Sequence, residues 1–144
     1  MDTPREGLDA ALEVASEHAE RARVRREQAL ERASELRRRS TALTEGTAHT
    51  REEADRAAAA ARVARERARE AYERAAEAHE RAADVHDEAA RFHDSLAGEG
   101  GADVAAHRDR AAEHRKAAAE DRRHAGDDRR VLAEEAADPA GEVT

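Results

Sequence analysis

The sequence predicts an all-α protein of three long antiparallel helices in an up-down-up bundle, with coiled-coil-like seams rich in alanine. Three observations predict it. Apolar residues recur at every seventh position over most of the chain, glycines cluster only at 98–101, and 39 of the 144 residues are alanine. Such a repeat is typical of helices packed side by side, and short connections make consecutive helices antiparallel neighbours. The alternative is an extended helix pair whose core is completed by dimerisation.

The composition leaves little large apolar surface for a core. The chain has seven Leu, seven Val and a single Met, Tyr and Phe. A buried alanine methyl contributes far less than the roughly 1.5–3 kcal/mol of a Leu or Phe side chain. We therefore expect closely packed helices and a homo-oligomer or another protein partner.

Charge excludes several partner classes. Charged residues make up 42% of the chain, are interspersed in sign, and sum to a net charge of −8. Nucleic acid and anionic membrane surfaces both need concentrated positive charge, so we expect neither as a partner. The sequence has no long apolar run, no signal-peptide pattern and no cysteine. We expect a cytoplasmic protein without disulfides.

Helix 1 is predicted at about 4–44. Thr3 and Glu6 form a capping box around Pro4, and Gly46 suits a C-cap. Arg26 interrupts the second of its two rows of small or apolar residues. The two rows are Leu8, Ala15, Ala22, Ala29, Leu36, Leu43 and Leu12, Ala19, Arg26, Ala33, Ser40.

Helix 2 is predicted at about 50–97, with a second capping box from Thr50 to Glu53. After Tyr72 its apolar stripe widens, which indicates that its second half meets two neighbours and its first half fewer. Its two main rows are Ala54, Ala61, Ala68, Ala75, Ala82, Ala89, Leu96 and Ala57, Ala64, Ala71, Ala78, Val85, Phe92.

Helix 3 is predicted at about 103–137, after the glycine turn and with Asp103 as its N-cap. Gly126 falls in phase with the row of Ala105, Ala112, Ala119 and Ala133, which predicts close packing there rather than a helix break. A parallel row is Val104, Ala111, Ala118, Ala125, Leu132. Pro139 should end the helix, leaving 138–144 as a disordered tail. The whole chain, 1–144, is predicted to be one helical domain.

Histidines repeat at the heptad spacing on both sides of the glycine turn, as His79, His86, His93, His107 and His114. Histidines seven apart lie roughly 10 Å apart along one helix and cannot share a metal ion, so any site must be interhelical. If the turn is centred near Gly100, facing residues have numbers that add to about 200.

This register pairs His93 with His107, His86 with His114, His79 with Asp121 and Tyr72 with Asp128. For helices 1 and 2, the numbers of facing residues are expected to add to about 94. That total places His18 beside Ala76, so that His18, His79 and Asp121 could form a cluster.

Three interpretations of these histidines stay open. They can be amphipathic side chains covering alanine in a seam. They can be interhelical ligands for Zn, Ni, Co or Cu, since imidazole suits these ions. They can form a pH switch, because paired imidazoles repel when protonated. The candidate metal ligands are His18, His79, His86, His93, His107, His114 and Asp121.

Most other charged side chains are expected to form solvated ion pairs along the helices. Glu70 with Arg74 and Glu77 with Arg81 are examples, and the acidic pair of Asp127 and Asp128 is placed in the same class. His124 is also expected to be solvated, among neighbouring arginines.

The histidine–alanine heptads from His79 to His93, the glycine break and the stretch from His107 to Arg123 resemble small helical proteins of high-G+C actinobacteria. The resemblance implies an all-α cytoplasmic protein and no particular activity.

The predicted function is that of a non-catalytic interaction or scaffold protein that self-associates through an Ala/His seam and needs no cofactor. No HExxH, GxSxG, GxGxxG or P-loop motif is present. The alternative is a metal-binding or pH-responsive protein that uses interhelical histidine pairs. A third hypothesis is a catalytic metalloprotein with an open site around His18, His79 and Asp121.

Overall fold

The computed structural model describes residues 4–45, 50–101 and 103–137, with side chains from residue 7 onward. The helices are α1 (Pro4–Glu45), α2 (Arg51–Gly98) and α3 (Val104–Ala137), so the all-α class and the three-helix architecture are confirmed. Each predicted bound lies within one residue of the observed one. The predicted caps at Thr3 and Gly46 and the predicted tail at 138–144 lie outside the described residues.

Local chemistry sets two of the helix ends. At the start of α2 the hydroxyl of Thr50 accepts a hydrogen bond from the Glu53 N–H, and the Glu53 carboxylate accepts one from the Thr50 N–H. After α2, Gly100 and Gly101 adopt φ values of 80° and 121°. Side chains rarely tolerate this region, so glycine permits the tight reversal into α3.

α2 is the central helix. It packs along both α1 and α3, whereas in the described residues no Cα atom of α1 lies within 8 Å of a Cα atom of α3. Ala19 packs against Ala78 and Ala82, and Ala33 packs against Ala64 and Ala68, which makes α1 and α2 antiparallel. None of these described helices is long and apolar enough to cross a membrane.

The core consists almost entirely of alanine. Apart from Tyr72, every buried apolar residue that the structure describes is an alanine. Small side chains let the helix backbones approach closely, which compensates in part for the small area that each one buries.

The predicted widening of the α2 stripe is confirmed. Ala76, Ala83 and Ala90 are buried, whereas Asp55 and Arg62, at the equivalent positions earlier in the helix, are exposed. The second half of α2 is therefore covered on two sides, by α1 and by α3.

The predicted close packing at Gly126 was wrong. In α3 the buried row contains Ala111, Ala118 and Ala125, whereas Ala112 and Gly126 are exposed. A methyl group added at Gly126 would meet no atom within 4 Å, so the glycine does not mark a close approach.

The predicted register of α1 was also wrong. Ala19 faces the stretch between Ala78 and Ala82, so facing residues of α1 and α2 have numbers adding to about 99 rather than 94. α1 ends at Glu45 and α2 begins at Arg51, so part of the difference is that the helix ends themselves add to 96.

Candidate functional site: the histidine seam

The histidines of α2 and α3 meet in pairs along one line, which we call the histidine seam. Its α2 side is His79, His86 and His93, and its α3 side is Asp121, His114 and His107. The Nδ1 atoms are 3.1 Å apart in the His93–His107 pair and 3.3 Å apart in the His86–His114 pair. The Nδ1 of His79 lies 2.9 Å from Oδ1 of Asp121. The pairing predicted from the glycine turn is therefore correct for all three layers.

Each histidine pair requires a particular distribution of protons. A hydrogen bond between two Nδ1 atoms needs one ring with an Nδ1–H and one ring with a free lone pair at Nδ1. A neutral pair meets this condition when the two rings adopt opposite tautomers, and a singly protonated pair meets it as well. A doubly protonated pair does not, because two N–H groups then point at each other and two positive charges repel.

The layers are joined into a continuous column of rings. The ring of His93 stacks on those of His107 and His114, with centroids 5.3 and 5.5 Å away. The rings of His114 and His86 are 5.6 Å apart, and Nε2 of His86 lies 3.9 Å from Oδ2 of Asp121. A charge on one ring is therefore felt by its neighbours in the column.

Burial makes this column sensitive to charge. His79 and His93 are buried, as are the α2 alanines Ala83 and Ala90. For His114, burial lowers the pKa, and the adjacent His86 lowers it further, while the carboxylates of Glu113 and Asp9 oppose the shift. The neutral form of His114 is thus favoured in the folded protein.

A row of ion pairs runs beside the histidine seam, one residue further along each helix. Glu80 pairs with Arg129 at 2.5 Å, Asp87 pairs with Arg122 at 2.5 Å, and Asp94 pairs with Arg115. The hydrogen bond from Arg122 holds the pKa of Asp87 below its usual range. These ion pairs join α2 to α3 beside the histidine seam.

The expected ion pairs along single helices are also present. Arg74 lies 3.3 Å from Glu70, and Arg81 lies 3.7 Å from Glu77. These contacts are exposed and contribute little to stability.

In the layer beyond His79 the register predicted Asp128 opposite Tyr72, but the burial of this carboxylate and its partner were not predicted. Asp128, which we expected among the solvated carboxylates, is only 1% exposed and forms an ion pair with Arg26 of α1. The guanidinium of Arg26 lies 5.5 Å from the centre of the Tyr72 ring. The feature of the sequence that indicates this buried pair is Arg26 itself, which interrupts a row of small or apolar residues in α1.

His124 is exposed, as expected, although its ring centre lies 5.1 Å from that of His79. Within the described residues, Nε2 of the buried His79 has no hydrogen-bond partner.

The structure brings together His79 and Asp121 of the predicted metal cluster but leaves His18 exposed on α1. Ala19, not His18, faces α2 at this level because of the α1 register. Over the part of the chain that the structure describes, no three His, Asp or Glu side chains converge as metal ligands would. The His86–His114 and His93–His107 layers each present two imidazoles instead.

Comparisons with protein-family models, with curated proteins and with solved structures find no match for this chain.

Proposed function

We propose that this chain is a non-catalytic helical interaction protein whose α2–α3 pairing responds to protonation of the histidine seam. The observation that carries the proposal is the direct Nδ1–Nδ1 contact in two successive histidine pairs, at 3.1 and 3.3 Å. Such contacts are stable while each pair holds no more than one extra proton, and they break when both rings are charged.

The unperturbed pKa of histidine places this change near physiological pH. A free imidazole titrates near pH 6.5, so mild acidification favours protonation of histidine side chains. At pH 7.5, where a free imidazole is mostly neutral, we expect the pairs to bind α2 to α3. At pH 5.5 repulsion along the column loosens the same contact.

The same contacts would hold two copies together if α3 were exchanged between them. α2 and α3 are joined only by residues 99–103, and the seam would form identically between α2 of one copy and α3 of another. Self-association through the Ala/His seam then depends on pH in the same direction as the intramolecular pairing.

A non-catalytic role is supported by where the imidazoles point. The Nδ1 atoms of the two pairs contact each other. Two open clefts between the helices, described below, are lined by no histidine. The groups best suited to acid–base chemistry therefore lie in a packed seam rather than beside a space for substrate.

The test compares melting temperature and sedimentation at pH 7.5 and pH 5.5 for the wild type and a variant with His86→Gln and His114→Gln. Glutamine keeps a polar side chain that cannot take up a proton. We expect the wild type to melt lower and assemble more weakly at pH 5.5, and the variant to show a smaller change.

His18→Gln is the matched control, because His18 is exposed and outside the seam. Protonating all eight histidines would cancel the net charge of −8 and so reduce repulsion within the folded protein. The control variant shows how a histidine outside the seam contributes to this general effect. A wild type whose melting temperature and mass are the same at both pH values would refute the proposal.

A second candidate function is transition-metal binding by the histidine pairs. Two nitrogens bound to one tetrahedral Zn²⁺ at 2.0–2.1 Å are roughly 3.3 Å apart, which matches the separation in the His86–His114 pair. Two imidazoles leave room for water or for ligands of another molecule. Calorimetry with Zn, Ni, Co and Cu tests it: we expect binding that is lost in His86→Ala with His114→Ala and kept in His18→Ala. Binding that persists in the double variant would exclude the His86–His114 pair as the site.

A further inference from the structure

α1 and α2 enclose an open apolar groove on the side facing away from α3. The groove has a volume of about 570 Å³, and its floor is formed by small and aliphatic side chains, including Leu36, Val63 and Ala64. Val63 is 52% exposed there, in a chain with few large apolar residues. We call this surface the arginine groove, because the charged side chains that line it are Arg25, Arg32 and Arg67.

The positive charge of the arginine groove is not neutralised locally. Within the described residues, Arg25, Arg32 and Arg67 form no ion pair, whereas Arg21, on the same helix, is bound to a glutamate. The chain as a whole carries a net charge of −8. An unpaired basic rim around an apolar floor on an acidic protein is suited to a ligand that is both apolar and anionic.

A second cleft lies on another side of the same helix pair. It has a volume of about 1050 Å³ and is lined by α1, by α2 and by Val131, Leu132, Glu134 and Glu135 at the end of α3. The α1 and α2 side chains in that cleft include four arginines, namely Arg37, Arg62, Arg65 and Arg69. An apolar helix end that carries glutamates thus lies across an open cleft from an arginine-rich surface of α1 and α2.

We propose that the arginine groove binds an acidic amphipathic helix of a partner protein. The groove extends from Arg25 to Leu36, which is about 16 Å or three helical turns. Arg25 and Arg32 lie seven residues apart, so the matching helix carries acidic residues at heptad spacing beside a stripe of small or medium apolar residues. The proposal rests on the interaction role given above but not on titration of the histidine seam.

The experiment measures binding of designed helical peptides to the full chain at pH 7.5, where a free imidazole is mostly neutral. One peptide of about five turns has an Ala/Leu stripe flanked by glutamates, and the other has lysines at the same positions. We expect fluorescence anisotropy to detect binding of the glutamate peptide only. The net charge of the protein repels that peptide, so its binding cannot come from overall attraction.

Substitutions of the arginines test whether the peptide binds in the arginine groove. Arg25→Glu with Arg32→Glu should weaken binding of the glutamate peptide at least about tenfold and allow binding of the lysine peptide. Arg37→Glu is the matched control, because Arg37 lies on the opposite side of α1 and should leave binding unchanged. Circular dichroism of each variant establishes that the helices are intact.

Three results would overturn the proposal: no binding of the glutamate peptide, equal binding of both peptides, or equal loss in the Arg37→Glu control. A fourth is a wild-type dimer that Arg25→Glu with Arg32→Glu dissociates, because a second copy would then occupy the groove. None of these results bears on the response of the histidine seam to pH.

Discussion

Arg26 of α1 and Asp128 of α3 form an ion pair across the gap between two helices whose backbones do not touch. Asp128 is almost fully buried, and within the described residues its Oδ2 has no hydrogen-bond partner. Its charge is therefore tolerated in the alanine core because of the arginine. The pair fixes how α1 and α3 sit on the two sides of α2.

Removing the arginine alone should destabilise the fold. Arg26→Met leaves a buried carboxylate without its partner, and we expect a loss of about 3 kcal/mol in the free energy of unfolding by urea. This is at the low end for buried pairs, because the Arg26 side chain is 20% exposed. Arg26→Met with Asp128→Leu removes both charges and should be close to the wild type.

The exposed pair of Glu70 and Arg74 supplies the comparison. Arg74→Met should change the free energy of unfolding by less than about 0.5 kcal/mol. If Arg26→Met were as mild as Arg74→Met, the ion pair with Asp128 would not be a significant part of the fold.

The pKa of the Tyr72 hydroxyl provides a measurement of the layer that contains Arg26 and Asp128. Burial raises this pKa; the nearby Arg26 lowers it, and Asp128 raises it. The chain contains one tyrosine, so ultraviolet absorbance of the phenolate follows this residue alone. We expect a midpoint above the usual value of about 10, and a higher one still in Arg26→Met.

The shift also has a consequence for stability at alkaline pH. Because the folded pKa of Tyr72 is raised, its contribution is fully present below about pH 10 and is lost as the pH rises through the folded pKa. Tyr72→Phe should remove this part of the alkaline loss. A midpoint at or below that of free tyrosine would contradict the burial of the hydroxyl.

The histidine seam could be predicted because its geometry follows from two sequence features. A heptad repeat and a glycine turn fix which residues face each other in an antiparallel hairpin, and this placed His93 opposite His107 correctly. The contact of Arg26 with Asp128 depends on how far α1 is shifted along α2. No motif in residues 46–50 specifies that shift, so the pair could not be derived from spacing.

His114 should titrate below the usual histidine value of about 6.5, because burial and the neighbouring His86 both lower its pKa. NMR titration of the imidazole resonances measures this directly. In His86→Gln the second cause is removed, so the pKa of His114 should rise part of the way back. An unchanged value would mean that the two rings do not interact.

The sign of the linked stability change follows from the lowered pKa. As the pH falls below about 6.5, the unfolded chain takes up a proton at His114 before the folded chain does. The free energy of unfolding therefore decreases with acidification until the pH falls below the folded pKa. His114→Gln should reduce this dependence in urea titrations between pH 7.5 and 5.5.

The heptad pattern left the buried face of α3 ambiguous, because two adjacent rows are both made of small residues. The structure buries Ala111 completely and exposes Ala112. Ala111→Leu should therefore cost about 1–3 kcal/mol by overpacking, whereas Ala112→Leu should stay within about 0.5 kcal/mol of the wild type. The reverse order in thermal or urea unfolding would show that α3 is rotated from the orientation described.

Gly126 offers a substitution that should stabilise the protein. It lies inside α3, is exposed, and an added methyl group would contact nothing within 4 Å. Gly126→Ala should raise the free energy of unfolding by about 1 kcal/mol, because alanine favours the helix and restricts the unfolded chain. Gly101→Ala is the contrasting variant: a φ of 121° strains any side chain there, so it should destabilise by at least about 1 kcal/mol. If Gly126→Ala destabilised as well, a neighbour must approach this face of α3, as it would in an oligomer packed on the exposed row of Ala112.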